Sequence, residues 1–386
     1  MASIVTGVNP GVLKWARESS GHSLEDIASA FKKDAKVIED WESGANAPTY
    51  VQLEKLAYQL YKRPIAIFFF PAPPEESDPK QSFRTLPEFE LENLSSDTRF
   101  ALRQGKAMQL ALMELNDAKN PAEHKLFDDI QVSTRTEVRE LAYEVRKYLG
   151  ISLDDQRDWK NTSDAISNWR NAVESKGIFV FKRSFKQRDI SGFCLVDNEF
   201  PVIYLNNSTA ITRQVFTLFH ELSHILLQTN GITKQDDHYI YALTGEAKEI
   251  EVFCNHLAAE ILVPSRDFEQ WLSIVSWDDE TVGELAAKYK VSREVILRKL
   301  LDRDLIDREY YQERAKQWID DFEKGKGNGG GKYYATQATY LGDRFLSLAF
   351  GRYYQGRCTI EQLADYLNLR VQSVAGLEQF VLRKAS

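Results

Sequence analysis

The chain has 386 residues, 43% of them apolar and 12% aromatic, which is enough to build several cores and excludes wholesale disorder. Its 49 basic residues stand against 57 acidic ones, a net charge of −8, so a generally basic nucleic-acid coat is excluded and only local basic patches remain. Cys194, Cys254 and Cys358 are odd in number and far apart, which argues against a disulfide framework and for a reducing compartment. The N-terminus lacks the uninterrupted apolar core of a secretory signal, and the longest apolar run, Ile65 to Phe70, is too short to span a bilayer. The expectation is a soluble cytoplasmic protein with no membrane partner.

Residues 1–75 read as short helices. Ser23 and Asp26 have capping-box spacing, and Leu24, Ile27, Ala28 and Phe31 follow as one helical stripe. Asp34 caps a second helix carrying Val37, Ile38 and Trp41, which Gly44 and Pro48 end. Leu53, Leu56, Ala57 and Leu60 form a third stripe. The run SLEDIASAFKKDAKVIEDWESGANAPT resembles the repressor-type (XRE-like) helix-turn-helix family, including its Trp-Glu-x-Gly ending at Trp41, Glu42 and Gly44.

Pro71, Pro73, Pro74 and Pro79 then interrupt the chain among the acids Glu75, Glu76 and Asp78, the composition of a stiff connector. Residues 90–160 look mostly helical and carry no chemical signature. Three β-rich runs follow, GIFVFKR (177–183), ISGFCLV (190–196) and FPVIYLN (200–206), and a small antiparallel sheet is expected. Ser208 or Thr209 is positioned to cap a long helix running to about Gln228. Further helices fit 246–262, stopped by Pro264, and a pair within 280–300. The Gly-rich segment 324–332 reads as a flexible linker, and TIEQLADYLNLRVQSVAGLEQF (359–380) as two more short helices around a turn.

The chemistry is concentrated in FTLFHELSHILL, residues 216–227. His220 and His224 are four apart, so on a helix both imidazoles leave one face and can hold one cation. Glu221 lies beside them, placed to take a proton from a water activated at that cation. Two imidazoles and one carboxylate suit Zn2+ with a position left open. The downstream candidates for the carboxylate or third ligand are Asp236, Asp237, His238, Glu246, Glu249, Glu251, His256 and Glu260, and spacing alone does not choose among them. Glu251 and Asn255 are four apart, so Asn255 is expected to brace the Glu251 carboxylate.

HELSH followed by ExxxN-xx-AAE-x-LVP resembles the ImmA/IrrE-type zinc peptidases, in detail over about residues 165–300. The resemblance implies a zincin-like α+β fold with His220, His224 and Glu251 on zinc, Glu221 as catalytic base and Asn255 beside the ligands. Cys254 stands where that family usually has Ala. The helix-turn-helix with KRPIAIFFFPAPPEE and SFRTLP (82–87) is a familiar N-terminal fusion in the same family. Nothing essential in its pattern is missing here, which implies an active site. The family's usual substrate implies a protein partner, a helix-turn-helix repressor or antitoxin, cut at a specific site in a stress, mobile-element or toxin–antitoxin and phage-defence setting. A competing reading is a DNA-binding regulator whose peptidase-like part senses zinc or a partner without cutting.

The resulting organisation is a helix-turn-helix domain (1–75), a helical connector (76–162), a zinc metallopeptidase domain (163–300) and a C-terminal helical domain (301–386). DNA contact would rest on Lys32, Lys33 and Lys36, but Asp34, Glu39 and Asp40 flank them. Eight basic residues oppose ten acidic ones across residues 1–76, a net of −2 that predicts weak, salt-sensitive binding at best. His22 and His124 are expected in solvent, His256 on a surface, Arg213 in a salt bridge, and Cys254 in the core. His238, Tyr239 and Tyr241 are possible substrate contacts. A dimer is compatible with the sequence, which does not itself define the oligomeric state.

Overall fold

The computed structural model describes residues 4–76, 93–187, 189–234, 238–273, 277–325 and 332–385. They divide into two compact units, Met1–Gln104 with Phe185–Gln187, and Gly105–Ser184 with Arg188–Ser386. The segment SFRTLP (82–87) and residues 326–331 of the 324–332 linker lie outside the described residues, as do Asp236 and Asp237.

In the first unit, α1 (Pro10–Ser19), α2 (Leu24–Phe31), α3 (Ala35–Ser43) and α4 (Tyr50–Lys55) enclose a core that includes Val12, Ile27, Ile38, Trp41, Leu53 and Phe68. The local signals read from the sequence are met. Ser23 and Asp26 form a reciprocal capping box, Asp34 accepts from the Lys36 N–H, and Gly44 ends α3 at φ 81°. Trp41 meets Phe31 edge to face at 5.6 Å, and Arg17 forks onto Glu42 at 2.7 and 3.0 Å. His22 is not left to solvent. It is half-buried, and its Nε2 lies 3.2 Å from the Leu60 carbonyl, which turns toward it where α4 passes into a wider π turn at Leu56–Leu60.

In the second unit the sheet comprises β1 (Phe179–Arg183), β2 (Ile190–Leu195), β3 (Val202–Asn206) and β4 (Ile232–Lys234), in the order β1-β3-β2-β4. It is mixed rather than antiparallel. β1 runs parallel to β3, with Phe179 opposite Val202, while β2 is antiparallel to both β3 and β4. The three β-rich runs were legible as strands, but β2 pairs on the far side of β3 from β1, so the strand next to β1 arrives in the same direction.

The helix α8 (Ile211–Leu226), which follows α5 (Ser96–Leu115), α6 (Val138–Leu149) and α7 (Thr162–Ser175) in the chain, lies on this sheet, with α7 and α9 (Gly245–Leu262) packed against it. Every residue of α8 from Arg213 to Leu226 is buried, so it is a central helix enclosed on all sides. Gly192 of β2 permits its close approach, since a Cβ there would stand 2.6 Å from Thr217 Cγ2. Trp169 of α7 meets Phe219 of α8 edge to face at 4.7 Å. Neither Ser208 nor Thr209 caps α8. Both hydroxyls are held by Asn206, and the helix starts after Ala210 with no side-chain cap.

Beyond them, α10 (Asp279–Tyr289) and α11 (Arg293–Leu301) form the expected pair, followed by α12 (Arg308–Gly325). The chain ends in α13 (Tyr333–Leu341), α14 (Asp343–Tyr354), α15 (Ile360–Tyr366) and α16 (Val371–Ala385). α13 packs against β1 and so covers an edge of the sheet. No described helix is long and apolar enough to cross a membrane.

Candidate metal centre

The structure brings His220, His224 and Glu251 together. The two imidazole Nε2 atoms are 3.2 Å apart, His220 Nε2 is 3.3 Å from Glu251 Oε2, and His224 Nε2 is 3.3 Å from Glu251 Oε1. All three residues are at most 1% exposed. The histidines reach each other because i and i+4 of α8 share a face. Glu251 reaches them because the face of α9 that carries Glu251, Cys254 and Asn255 is packed on α8.

The other third-ligand candidates that are described stand elsewhere. Glu246 and Glu249 are exposed, Glu260 is ion-paired with Lys299, and His256 is 46% exposed and 3.7 Å from Asp302. His238 begins a short helix, His238–Ala242, and its side chain lies outside what is described. Arg213 forms its salt bridge with Glu294 at 3.2 Å, and His124 is solvated.

Hydrogen bonds around the group decide which nitrogens face inward. His220 Nδ1 is 2.9 Å from Asn255 Oδ1, an acceptor, so Nδ1 carries the proton and Nε2 a lone pair. Asn255 therefore braces His220, not Glu251 as its spacing had suggested. Glu251 Oε2 instead accepts from the Tyr239 hydroxyl at 2.6 Å. His224 Nδ1 is 3.2 Å from Thr229 Oγ1, whose own proton goes to the His224 carbonyl, so this ring also turns its Nε2 lone pair inward.

Two lone pairs and a buried carboxylate thus converge, and Glu251 Oε1 has no hydrogen-bond partner among the described residues. Such a group requires a cation among its atoms. The donor set fits zinc. Two imidazole nitrogens 3.2 Å apart, with a different oxygen of one carboxylate 3.3 Å from each, are the nitrogen and oxygen ligands zinc takes. Without a metal, a proton takes that place. Burial opposes charge on both partners, yet Cys254 and the Glu251 carboxylate raise His224 well above the ordinary imidazole value, and the imidazoles hold Glu251 below the usual carboxylate range.

Glu221 is fully buried beside this group. Its Oε1 accepts from the Thr233 backbone N–H at 3.1 Å and from the Thr233 hydroxyl, while Oε2 has no hydrogen-bond partner among the described residues. Gly231 makes room for it: a Cβ at 231 would lie 2.8 Å from Glu221 Oε2 and 2.5 Å from His224 Cδ2. Cys194 lies at the same place, its thiol pushed up by burial and by Glu221, and accepts from the Gly231 N–H at 3.2 Å. Thr233, Gly231 and Cys194 had no sequence signal as site residues, since they come from strands whose pairing brings them under α8. The proposed nucleic-acid contacts sit at the α2–α3 turn. Lys32 and Lys33 are exposed there, and Lys36 is ion-paired with Glu39 at 3.2 Å and Asp40 at 3.5 Å.

Residues 173–301, the segment that contains this group, match the family model Peptidase_M78, described as an IrrE N-terminal-like domain. Two curated proteins are similar to the chain over shorter stretches. The radiation response metalloprotease IrrE of Deinococcus deserti is 34% identical over 107 residues, 28% of this chain and 38% of that protein. The protein of the same name from Deinococcus radiodurans is 33% identical over 96 residues, 25% of this chain and 29% of that protein. The chain therefore spans less than two fifths of either relative. These likenesses support a metallopeptidase domain of the IrrE kind.

Proposed function

We propose that the protein is a zinc-dependent endopeptidase that makes site-specific cuts in a protein partner, a helix-turn-helix repressor or antitoxin being the class that the resemblance to ImmA/IrrE-type peptidases implies. The observation that carries this reading is the buried convergence of His220, His224 and Glu251 with the unpartnered Glu221 Oε2 beside them. His220, His224 and Glu251 would hold the metal. A zinc ion there supplies Lewis acidity that polarises a peptide carbonyl and acidifies a water.

The remaining work falls to the chain. Asn255 and Thr229 fix the two imidazole tautomers, and Tyr239 fixes the Glu251 carboxylate. Thr233 occupies Glu221 Oε1, which leaves Oε2 to take a proton from the attacking water and return it to the leaving amine. Leu218, Phe219, Leu222 and Ile225 are fully buried around the helix and keep the region dry, so the charges act at low dielectric.

Residues 1–75 serve in this reading to recognise the partner, with weak DNA contact at Lys32 and Lys33. The setting would be cytoplasmic and stress- or mobile-element-linked. The test mixes the purified, zinc-loaded chain with the products of neighbouring genes. A discrete cut product is expected, and Glu221→Gln should keep about one zinc per chain while cleavage falls by about 10²-fold or more. Retention of the wild-type rate, or an operator shift with no cutting of any neighbour, overturns the proposal.

A further inference from the structure

A cavity of about 200 Å³ opens in the larger unit between α7, β1 and the C-terminal helices, and shares no residue with the metal centre. Lys182 of β1 lines it. This side chain is 8% exposed, and its amine has no hydrogen bond or ion pair with any described residue. The nearby carboxylate, Glu174, is hydrogen-bonded to Arg170 and the Val180 N–H, so this largely buried amine has no direct partner, which is costly. Burial and the Arg170 guanidinium, opposed by Glu174, lower it to about 7, and a bound anion would favour its charged form.

The start of α14 supplies an independent observation. Gly342 and Asp343 line the same cavity, and no side chain caps the first N–H groups of this 12-residue helix. A helix start of that kind carries partial positive charge and free donors. Gly342 has φ +84°, and a Cβ there would run into the Arg170 guanidinium, so glycine keeps the helix start pressed against a cation. Arg170 itself is occupied, donating to Glu174, the Thr339 carbonyl and the Val180 carbonyl, and so contributes field more than free donors. The acid at the helix start, Asp343, is already balanced by Lys384 at 2.8 and 2.9 Å. Ile166, Ala338 and Phe380 also line the cavity and give it an apolar part.

We propose that this cavity binds a small phosphomonoester, with its phosphate between Lys182 Nζ and the first turn of α14 and its organic part against Ile166, Ala338 and Phe380. Two sources of positive charge suit a dianion better than a single carboxylate, and the three apolar lining side chains favour an ester over free phosphate. The site would add ligand binding to a chain whose other site cuts peptides, and it stands or falls independently of that activity.

The test uses the full chain, stripped of metal so that phosphate has no zinc to bind, in calorimetric titrations at constant ionic strength set with chloride. Phenyl phosphate should bind saturably at one per chain and about tenfold or more tighter than inorganic phosphate. Lys182→Met should weaken it by about tenfold or more, while the ligand-free variant melts no lower than wild type. Lys384→Ala, an exposed change that spares the core, should weaken it about threefold. Absence of saturable binding, or unchanged binding in both variants, overturns the proposal. Inorganic phosphate binding as tightly as the ester overturns its organic part.

Discussion

Asn255→Ala isolates the tautomer argument at the metal centre. The His220 ring is 1% exposed, and its Nδ1–H has the Asn255 oxygen at 2.9 Å as its partner. Truncation leaves a buried donor unsatisfied, which costs about 1–3 kcal/mol of stability. It also frees the imidazole to move its proton to Nε2, where the inward lone pair is needed. Loss of such a brace weakens metal binding by about 10–100-fold, or roughly 1.4–2.7 kcal/mol. Asn255→Asp offers the same acceptor and should bind zinc nearly as wild type does. The assay is competition for zinc with a chromophoric chelator, run beside His256→Ala, which should be neutral because that ring is exposed and turned toward Asp302. If Asn255→Ala melted lower yet bound zinc with wild-type affinity, Asn255 would only be packing and the tautomer argument would be wrong.

Gly231→Ala should lower both stability and zinc affinity, since its Cβ would lie 2.5 Å from a buried His224 carbon. The overpacking costs about 1–3 kcal/mol, read as a fall in melting temperature with and without chelator; an unchanged zinc affinity would show that the site relaxes freely. The pH dependence of the metal-free chain follows from His224, whose raised folded value gives stability that is complete below its ordinary 6.5 and lost as pH rises through the folded value. Glu251, held low, contributes stability that is present above its ordinary 4.5 and lost in acid. Zinc takes the place of the His224 proton, so the rise in melting temperature on adding zinc should grow between about pH 6 and pH 8. A zinc effect that stayed constant over that range would contradict the shared-cation picture.

Much of this protein was legible locally. Capping boxes, Gly44 and the apolar stripes located the helices because such signals act within a turn or two of backbone. His220, Glu221 and His224 were legible for the same reason, since a helix alone places i and i+4 on one face. Everything that depends on which elements meet was decided by tertiary packing. Spacing left eight candidates for the third ligand, and the seating of α9 on α8 brought Glu251 inward while turning His256 out. The same seating gave Asn255 to His220 across the helix pair, and Tyr239, from a separate short helix, to Glu251. Strand order placed β1 parallel to β3 and set Gly231 and Thr233 against Glu221, a juxtaposition that no residue's immediate neighbours encode. Helix caps and i, i+4 faces are fixed by short-range geometry, whereas partners across elements depend on how apolar faces of separate segments interlock, and that is settled only when the whole core forms.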